Sequence, residues 1–324
     1  MHGTAAPSPV RALAADEAAA ADTLFRLAFG TFLGLPDPLA FRPGAAIFAH
    51  RLAMYPDGVF AIEQDGRLVG AAVANCWGKV GVVGPIVVAP SHWKHGVGRL
   101  LIDRVMACLA DWGCEAIRLA TFPHSAGHLR LYQRYGFWPA SLTASMVLAP
   151  GTLARSNGLQ SKTELLSRLS DADVRRRLQS CAALAARAEP GLDLTAECSL
   201  MRDGAAGDVV LLTTGGEVDG FAVCAAGQGS EAGDDHCMVK LAIAGGAPAV
   251  PSAGLGELMA AASAYASGRG LARLSATVST GDLDTYKAML ALGFVATTHQ
   301  IVMDCPPRAA GRPGGEIHVL QDLR

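Results

Sequence analysis

A short glycine signature occurs twice in this chain, at matching distances from a second landmark. Gly96-Val97-Gly98 recurs 158 residues on as Gly254-Leu255-Gly256, and Gly136-Phe137 recurs 157 residues on as Gly293-Phe294. Two independent landmarks that keep one offset to within a residue identify an internal duplication, because a fixed long period is the imprint of a repeated structural unit. The 324 residues then divide into two units of about 150 residues, an ordinary domain size. The expected division is 1–150 and 151–324, with the Gly-, Ser- and Asn-containing stretch 150–158 as the linker.

Periodicity fills in the units. Residues 10–13 read as a first strand and 15–29 and 45–54 as helices. Strands 58–64 and 68–77 flank Gln64-Asp65-Gly66-Arg67, where Asp-Gly predicts a hairpin turn. Residues 80–89 form a near-continuous apolar strand, with Gly84 and Pro85 marking a bulge or bend. Val97, Leu100, Leu101, Val105, Leu109 and Trp112 fall at helical spacing, and Gly113 marks the stop. Strand 117–122, helix 125–135 and strand 141–148 complete the unit.

The second half reads as helical over 162–188. It continues with strands 208–213, 218–225 and 237–243, helix 255–267, strand 272–278, helix 283–292 and strand 294–303. The pattern predicts an α+β protein. The first nine residues are expected to be loose.

Charge and composition restrict the partners. The net charge is -2 and no long basic block occurs, which argues against nucleic acid or an anionic membrane surface as the partner. A small molecule or peptide fits better. The longest apolar run, 80–90, is far below the ~20 residues that span a bilayer, and the N-terminus lacks a signal-peptide core, so a cytoplasmic location is expected. The eight cysteines include no C-x-x-C pair and read as reduced thiols of the core rather than zinc ligands or disulfides.

One stretch carries chemistry. After the apolar strand come Pro90, a polar loop, and Gly96-Val97-Gly98-Arg99 at the start of a helix. Such a helix start presents unpaired N–H groups and a partial positive end, an anion cradle, to which Lys94, His95 and Arg99 add charge or donors. G-x-G alone is a weak signal. The whole string of strand, V-V-A-P, G-V-G-R-L-L helix, strand, and a helix ending L-Y-Q-R-Y-G-F resembles the GCN5-related N-acetyltransferase (GNAT) family, well over 59–148 and more loosely in the second half.

That resemblance implies two tandem GNAT-like domains, each with a central mixed, mostly antiparallel sheet flanked by helices, and acetyl-CoA as co-substrate, without a metal. It implies that backbone groups of Val87 and Val88 pair with the pantetheine arm. Lys94, His95, Gly96, Val97, Gly98 and Arg99 would hold the pyrophosphate, and Ser125 would reach the pantetheine. One position departs from the pattern, since Trp93 stands where the family has Gln or Arg. Tyr132 is implied as the general acid: a phenol of pKa ~10 donates to a departing thiolate whose conjugate acid lies near ~8.5. For the base that deprotonates the amine, His124 comes first, with Glu63 and His92 as alternatives. The spacings His92/His95 and His124/His128 lack the further ligands of a zinc site.

The second copy departs more. Met289 stands where Tyr132 does, and thioether donates no proton; Tyr286 lies three residues earlier. The loop 246–253 has no basic residue. The segment 189–194 (E-P-G-L-D-L) resembles the C-terminal halves of tandem members of the family. The expected activity is transfer of acetyl to a primary amine of a small molecule or peptide, with monomer and homodimer both open. The alternative is an acyl-CoA-binding or sensing protein without turnover.

Overall fold

The computed structural model describes residues 9–153, 161–245, 252–307 and 317–321. The expected loose N-terminus, most of the linker and most of the loop 246–253 lie outside the described residues. The first half runs β1 (Arg11–Ala12), α1 (Ala18–Phe32), α2 (Ile47–Met54), β2 (Val59–Gln64), β3 (Arg67–Trp77), β4 (Val80–Val88), α3 (Val97–Asp111), β5 (Ala116–Thr121), α4 (Ala126–Gln133) and β6 (Trp138–Leu148). The second half repeats this order. It runs β7 (Lys162–Leu165), α5 (Asp171–Ala188), α6 (Thr195–Leu200), β8 (Gly207–Thr214), β9 (Glu217–Gly227), β10 (Gly233–Gly245), α7 (Ser252–Gly268), β11 (Arg273–Ser279), α8 (Leu283–Ala291) and β12 (Val295–Cys305), followed by β13 (Ile317–Gln321).

Local chemistry explains most boundaries. Asp65 and Gly66 both take positive φ, 52° and 72°, the conformation a two-residue hairpin turn requires. The bulge expected at Gly84-Pro85 is present, since the β3–β4 register shifts between Ala72 and Ala74, and Asn75 Nδ2 donates to the Gly84 carbonyl at 3.0 Å. Helix α3 buries Val97, Leu101, Val105, Cys108 and Leu109 along one stripe. One expectation is corrected: residues 162–165 form strand β7, paired antiparallel with β8. Helix α5 starts only after Ser170, whose side chain accepts from the Asp173 N–H, with Asp171 and Asp173 in the first turn where acidic groups favour a helix. Sequence reading also missed α6 and β13.

The halves share one sheet of thirteen strands, in the order β1-β2-β3-β4-β5-β12-β6-β11-β10-β9-β8-β7, with β13 paired to β10. Each half therefore hands its last strand to the other. β12 pairs antiparallel with β5 on one side and β6 on the other, and β6 pairs antiparallel with β11. The exchange satisfies edges that two separate sheets would expose. Helices α3 and α4 pack on one core of the first half, α1 and α2 on another. Trp77, Val80 and Val82 of the first half pack into a core made mainly by the second. No helix among the described residues is long and apolar enough to cross a membrane.

Charged groups also join the halves. Glu197 of α6 meets Arg51 of α2 and Lys240 of β10, each at 2.7 Å, and Glu231 meets Arg51 at 2.7 Å and Lys240 at 3.0 Å. The Trp77 indole N–H donates to Glu197 at 2.9 Å. All four charged side chains are at most 3% exposed. Two cations and two anions thus neutralise one another out of reach of water.

Candidate functional site

Strand β4 has a partner on both sides for only part of its length. Its parallel pairing with β5 covers residues 80–82 and stops there, whereas its pairing with β3 continues to Val88. Beyond Val82 the two parallel strands part and leave the β5-facing side of β4 unpaired. Ala89 N–H donates to Val69 O at 2.8 Å. By the alternation of an antiparallel ladder, Val87 directs its N–H and C=O to β3, and Ile86 and Val88 direct theirs to the open side. Of the two residues expected at this edge, Val88 faces it and Val87 does not. The Trp93 indole N–H donates to Val88 O at 2.8 Å, so the departure from the family pattern caps one acceptor of the edge.

The loop after β4 turns sharply into α3. Lys94 and Gly96 have φ of 66° and 85°, and Gly96 caps the helix with no side-chain hydrogen bond. The N–H groups of Lys94, His95, Gly96, Val97 and Gly98 make no hydrogen bond among the described residues, while Arg99 and Leu100 already donate to Gly96 O. Five successive free donors at a helix start form an anion-binding concavity. Lys94, His95 and Arg99 are exposed beside it. A Cβ on Gly96 meets nothing within 4 Å, so the requirement for glycine is conformational. Gly96→Ala is expected to cost about 1 kcal/mol in urea denaturation, the penalty for an L-residue in the left-handed region; an unchanged midpoint would contradict the loop geometry.

Helix α4 brings up the remaining predicted residues. The Ser125 side chain accepts from the His128 N–H at 3.4 Å and caps the helix, which is a structural use of the hydroxyl. Tyr132 packs edge-on against Phe137, with centroids 6.2 Å apart, on the core that also receives Ile86 and Val88. Its hydroxyl makes no hydrogen bond to a described residue, and burial pushes its pKa up to about 12. His124 is exposed and stacks on Phe32 at 5.6 Å.

Sequence reading passed over His128 as a site residue. Its ring lies 5.2 Å from Phe32 and 6.4 Å from Tyr132, and burial, then the neighbouring His124, lower its pKa below the ordinary 6.5. Phe32 also meets Phe122 at 5.0 Å, and Phe29 meets Phe122 at 6.0 Å. The end of α1 and the end of β5 therefore build an aromatic wall next to Tyr132. The sequence signal for this wall is the Phe-, Leu- and Pro-rich stretch 29–55, from which a wall of the acceptor cleft is expected. The other proton acceptors considered are engaged: Glu63 pairs with Arg11 at 3.0 Å, and His92 Nδ1 lies 2.9 Å from Ser91 Oγ. No group of three His, Cys, Asp or Glu among the described residues is arranged to hold a metal.

The described residues of the second half differ at the corresponding positions. Met289 is wholly buried, and Tyr286 of α8 is partly buried against the core of the second half. Strand β10 pairs parallel with β11 over residues 236–239, as β4 does with β5, but its continuation over 241–245 is covered by β13. The edge left open in the first copy is filled in the second by the chain's own C-terminal strand.

Residues 24–137 match the model of the acetyltransferase (GNAT) family. Comparison with curated protein sequences gives no match. Among solved structures, a Pyrococcus horikoshii protein assigned as an acetyltransferase superposes with a TM-score of 0.67 at 14% identity, covering 97% of this chain and 94% of that one. A GCN5-related N-acetyltransferase from Sphaerobacter thermophilus gives 0.59 at 14%, covering 91% and 94%. A tandem GNAT protein from the clavulanic acid biosynthesis pathway gives 0.59 at 14%, covering 93% and 98%. Identities this low speak for the fold alone. Residues 24–137 thus resemble the acetyltransferase (GNAT) family, and the chain has the fold of a tandem GNAT protein.

Proposed function

We propose that the first half is an N-acetyltransferase that moves acetyl from acetyl-CoA to a primary amine of a small molecule or peptide. The observation that carries this reading is the continuity of an unpaired strand edge at Ile86 and Val88 with five free N–H groups over residues 94–98. An extended amide-bearing arm ending in a diphosphate matches that run of donors and acceptors, one of which, Val88 O, already accepts from the Trp93 indole. Val88 and Ile86 would pair with the arm, and residues 94–98 would hold the diphosphate with Lys94, His95 and Arg99. The bound thioester supplies the activated acetyl group. Tyr132 donates its proton to the departing sulfur, and His124 or His128 accepts the proton of the amine. The aromatic wall favours an acceptor with an apolar portion.

The test is a thiol-release assay with acetyl-CoA against a panel of amines, run beside calorimetric titration with acetyl-CoA. One site per chain is expected, because β13 covers the corresponding edge of the second half; two equal sites would refute this. Binding without thiol release for any amine would favour the sensing alternative, to which the Trp93 cap on Val88 O lends support.

The pH profile separates the imidazoles. A base must be neutral to work, so kcat/KM falls on the acid side as pH drops through its pKa, and for His128 that fall lies below pH 6.5. His128→Asn is expected to abolish the acid limb if His128 is the base. Should only His124→Asn remove it, His124 holds the role.

A further inference from the structure

Cys76, at the end of β3, and Cys114, in the turn between α3 and β5, bring their Sγ atoms to 3.6 Å, with Cys114 donating to Cys76. Both are partly exposed. Cys76 also lines an open pocket of about 400 Å³ with Met54, Tyr55, Pro56, Asp57 and Trp112. Two further thiol pairs neighbour each other, Cys181 with Cys198 and Cys224 with Cys237, but these four lie at 0–3% exposure. The chain thus holds three close thiol pairs, of which one has an approach from solvent.

We propose that Cys76 and Cys114 are a reversible redox dithiol, oxidised to a disulfide by low-molecular-weight disulfides that enter through the pocket beside Cys76. The Cys76 thiolate attacks one sulfur of the reagent disulfide and expels the first small thiolate, forming a mixed disulfide. Cys114, giving its proton to the released thiolate, attacks Cys76 Sγ and expels the second. Two protein thiols are oxidised, one reagent disulfide is reduced to two thiols, and the two protons pass from the cysteines to them. Closing the sulfurs from 3.6 Å to a bond needs a shift of about 1.5 Å, within reach of side-chain rotation. The attacking residue is Cys76, because the hydrogen bond from Cys114 lowers its pKa to about 7, and the same bond raises that of Cys114. This inference is independent of the acyl-transfer reading.

The bond would enclose a 38-residue separation that contains β4 and α3, and so ties the anion cradle's frame to the sheet. A loop of that length raises the melting temperature by restricting the unfolded chain.

The test treats the folded full-length protein with glutathione disulfide, blocks remaining thiols with an alkylating agent and maps the non-reduced peptides. A Cys76–Cys114 link is expected to form about tenfold or more faster than any loss of the four buried thiols, with a rate that rises as pH passes through about 7 and a raised melting temperature reversed by dithiothreitol. Cys114→Ser should halt the reaction at a glutathione adduct on Cys76, and Cys76→Ser should leave Cys114 unmodified on the same timescale. An adduct on Cys76 in the natural protein that never resolves into the link would overturn the proposal. Oxidation of Cys181 with Cys198, or of Cys224 with Cys237, at an equal rate would do so as well.

Discussion

Tyr132→Phe is expected to lower kcat for acetyl transfer by about 10²-fold or more, the usual contribution of a positioned general acid, and to leave the Kd for acetyl-CoA within about twofold. The substitution is clean because the hydroxyl makes no hydrogen bond among the described residues, while the ring that packs on Phe137 is kept. Stability should therefore hardly change, and a loss of turnover is not confounded by unfolding. Burial raises the phenol to about 12, so it stays protonated throughout the working range and contributes no alkaline limb below about pH 11. The raised value makes Tyr132 a weaker acid, and the same dry surroundings make a departing thiolate a stronger base. Steady-state kinetics with unchanged kcat would remove Tyr132 from the chemistry.

Glu197→Gln should destabilise the folded chain by about 3–5 kcal/mol, the cost of leaving buried charge unbalanced. The carboxylate is fully buried and is shared by Arg51 and Lys240. Glutamine keeps the shape and an acceptor for the Trp77 indole, but leaves two cations facing Glu231 alone. Urea denaturation measures the effect as a fall in midpoint. Because Arg51 comes from the first half and Lys240 and Glu197 from the second, and because β6 and β12 are exchanged, unfolding should remain a single transition. Two separated transitions would show that the halves fold independently. Surface pairs offer the contrast: Lys79→Ala breaks the solvent-exposed pair with Glu115 and should leave the midpoint unmoved, since water and salt screen such contacts.

The turns that frame the candidate site were legible in the sequence. Asp65-Gly66, Gly96-Val97-Gly98 and Gly136-Phe137 each stand where backbone conformation admits few residues, and these positions carry positive φ at Asp65, Gly66, Gly96 and Gly136. The apolar stripe of α3 was equally plain, because helical spacing repeats within each turn. Partners contributed by distant segments were not. Ser125 resembled a ligand-binding position but caps α4, and Trp93 looked like a lost polar contact but returns to Val88 O. His128 reads as an ordinary helix residue until Phe32 arrives from α1.

Local sequence determined the duplication, most of the order of strands and helices, and the turns of the cradle, since turn conformation and burial periodicity are properties of neighbouring residues. Tertiary structure alone decided that the last strands of the two halves cross over. It likewise decided that Ile317–Gln321 covers the edge of β10 while that of β4 stays open. Hydrogen-bonding capacity is identical along every backbone, so a strand's sequence shows that it must pair but not with which strand. That choice is made by the packing of remote segments, and here it covers the edge of β10 and leaves that of β4 open.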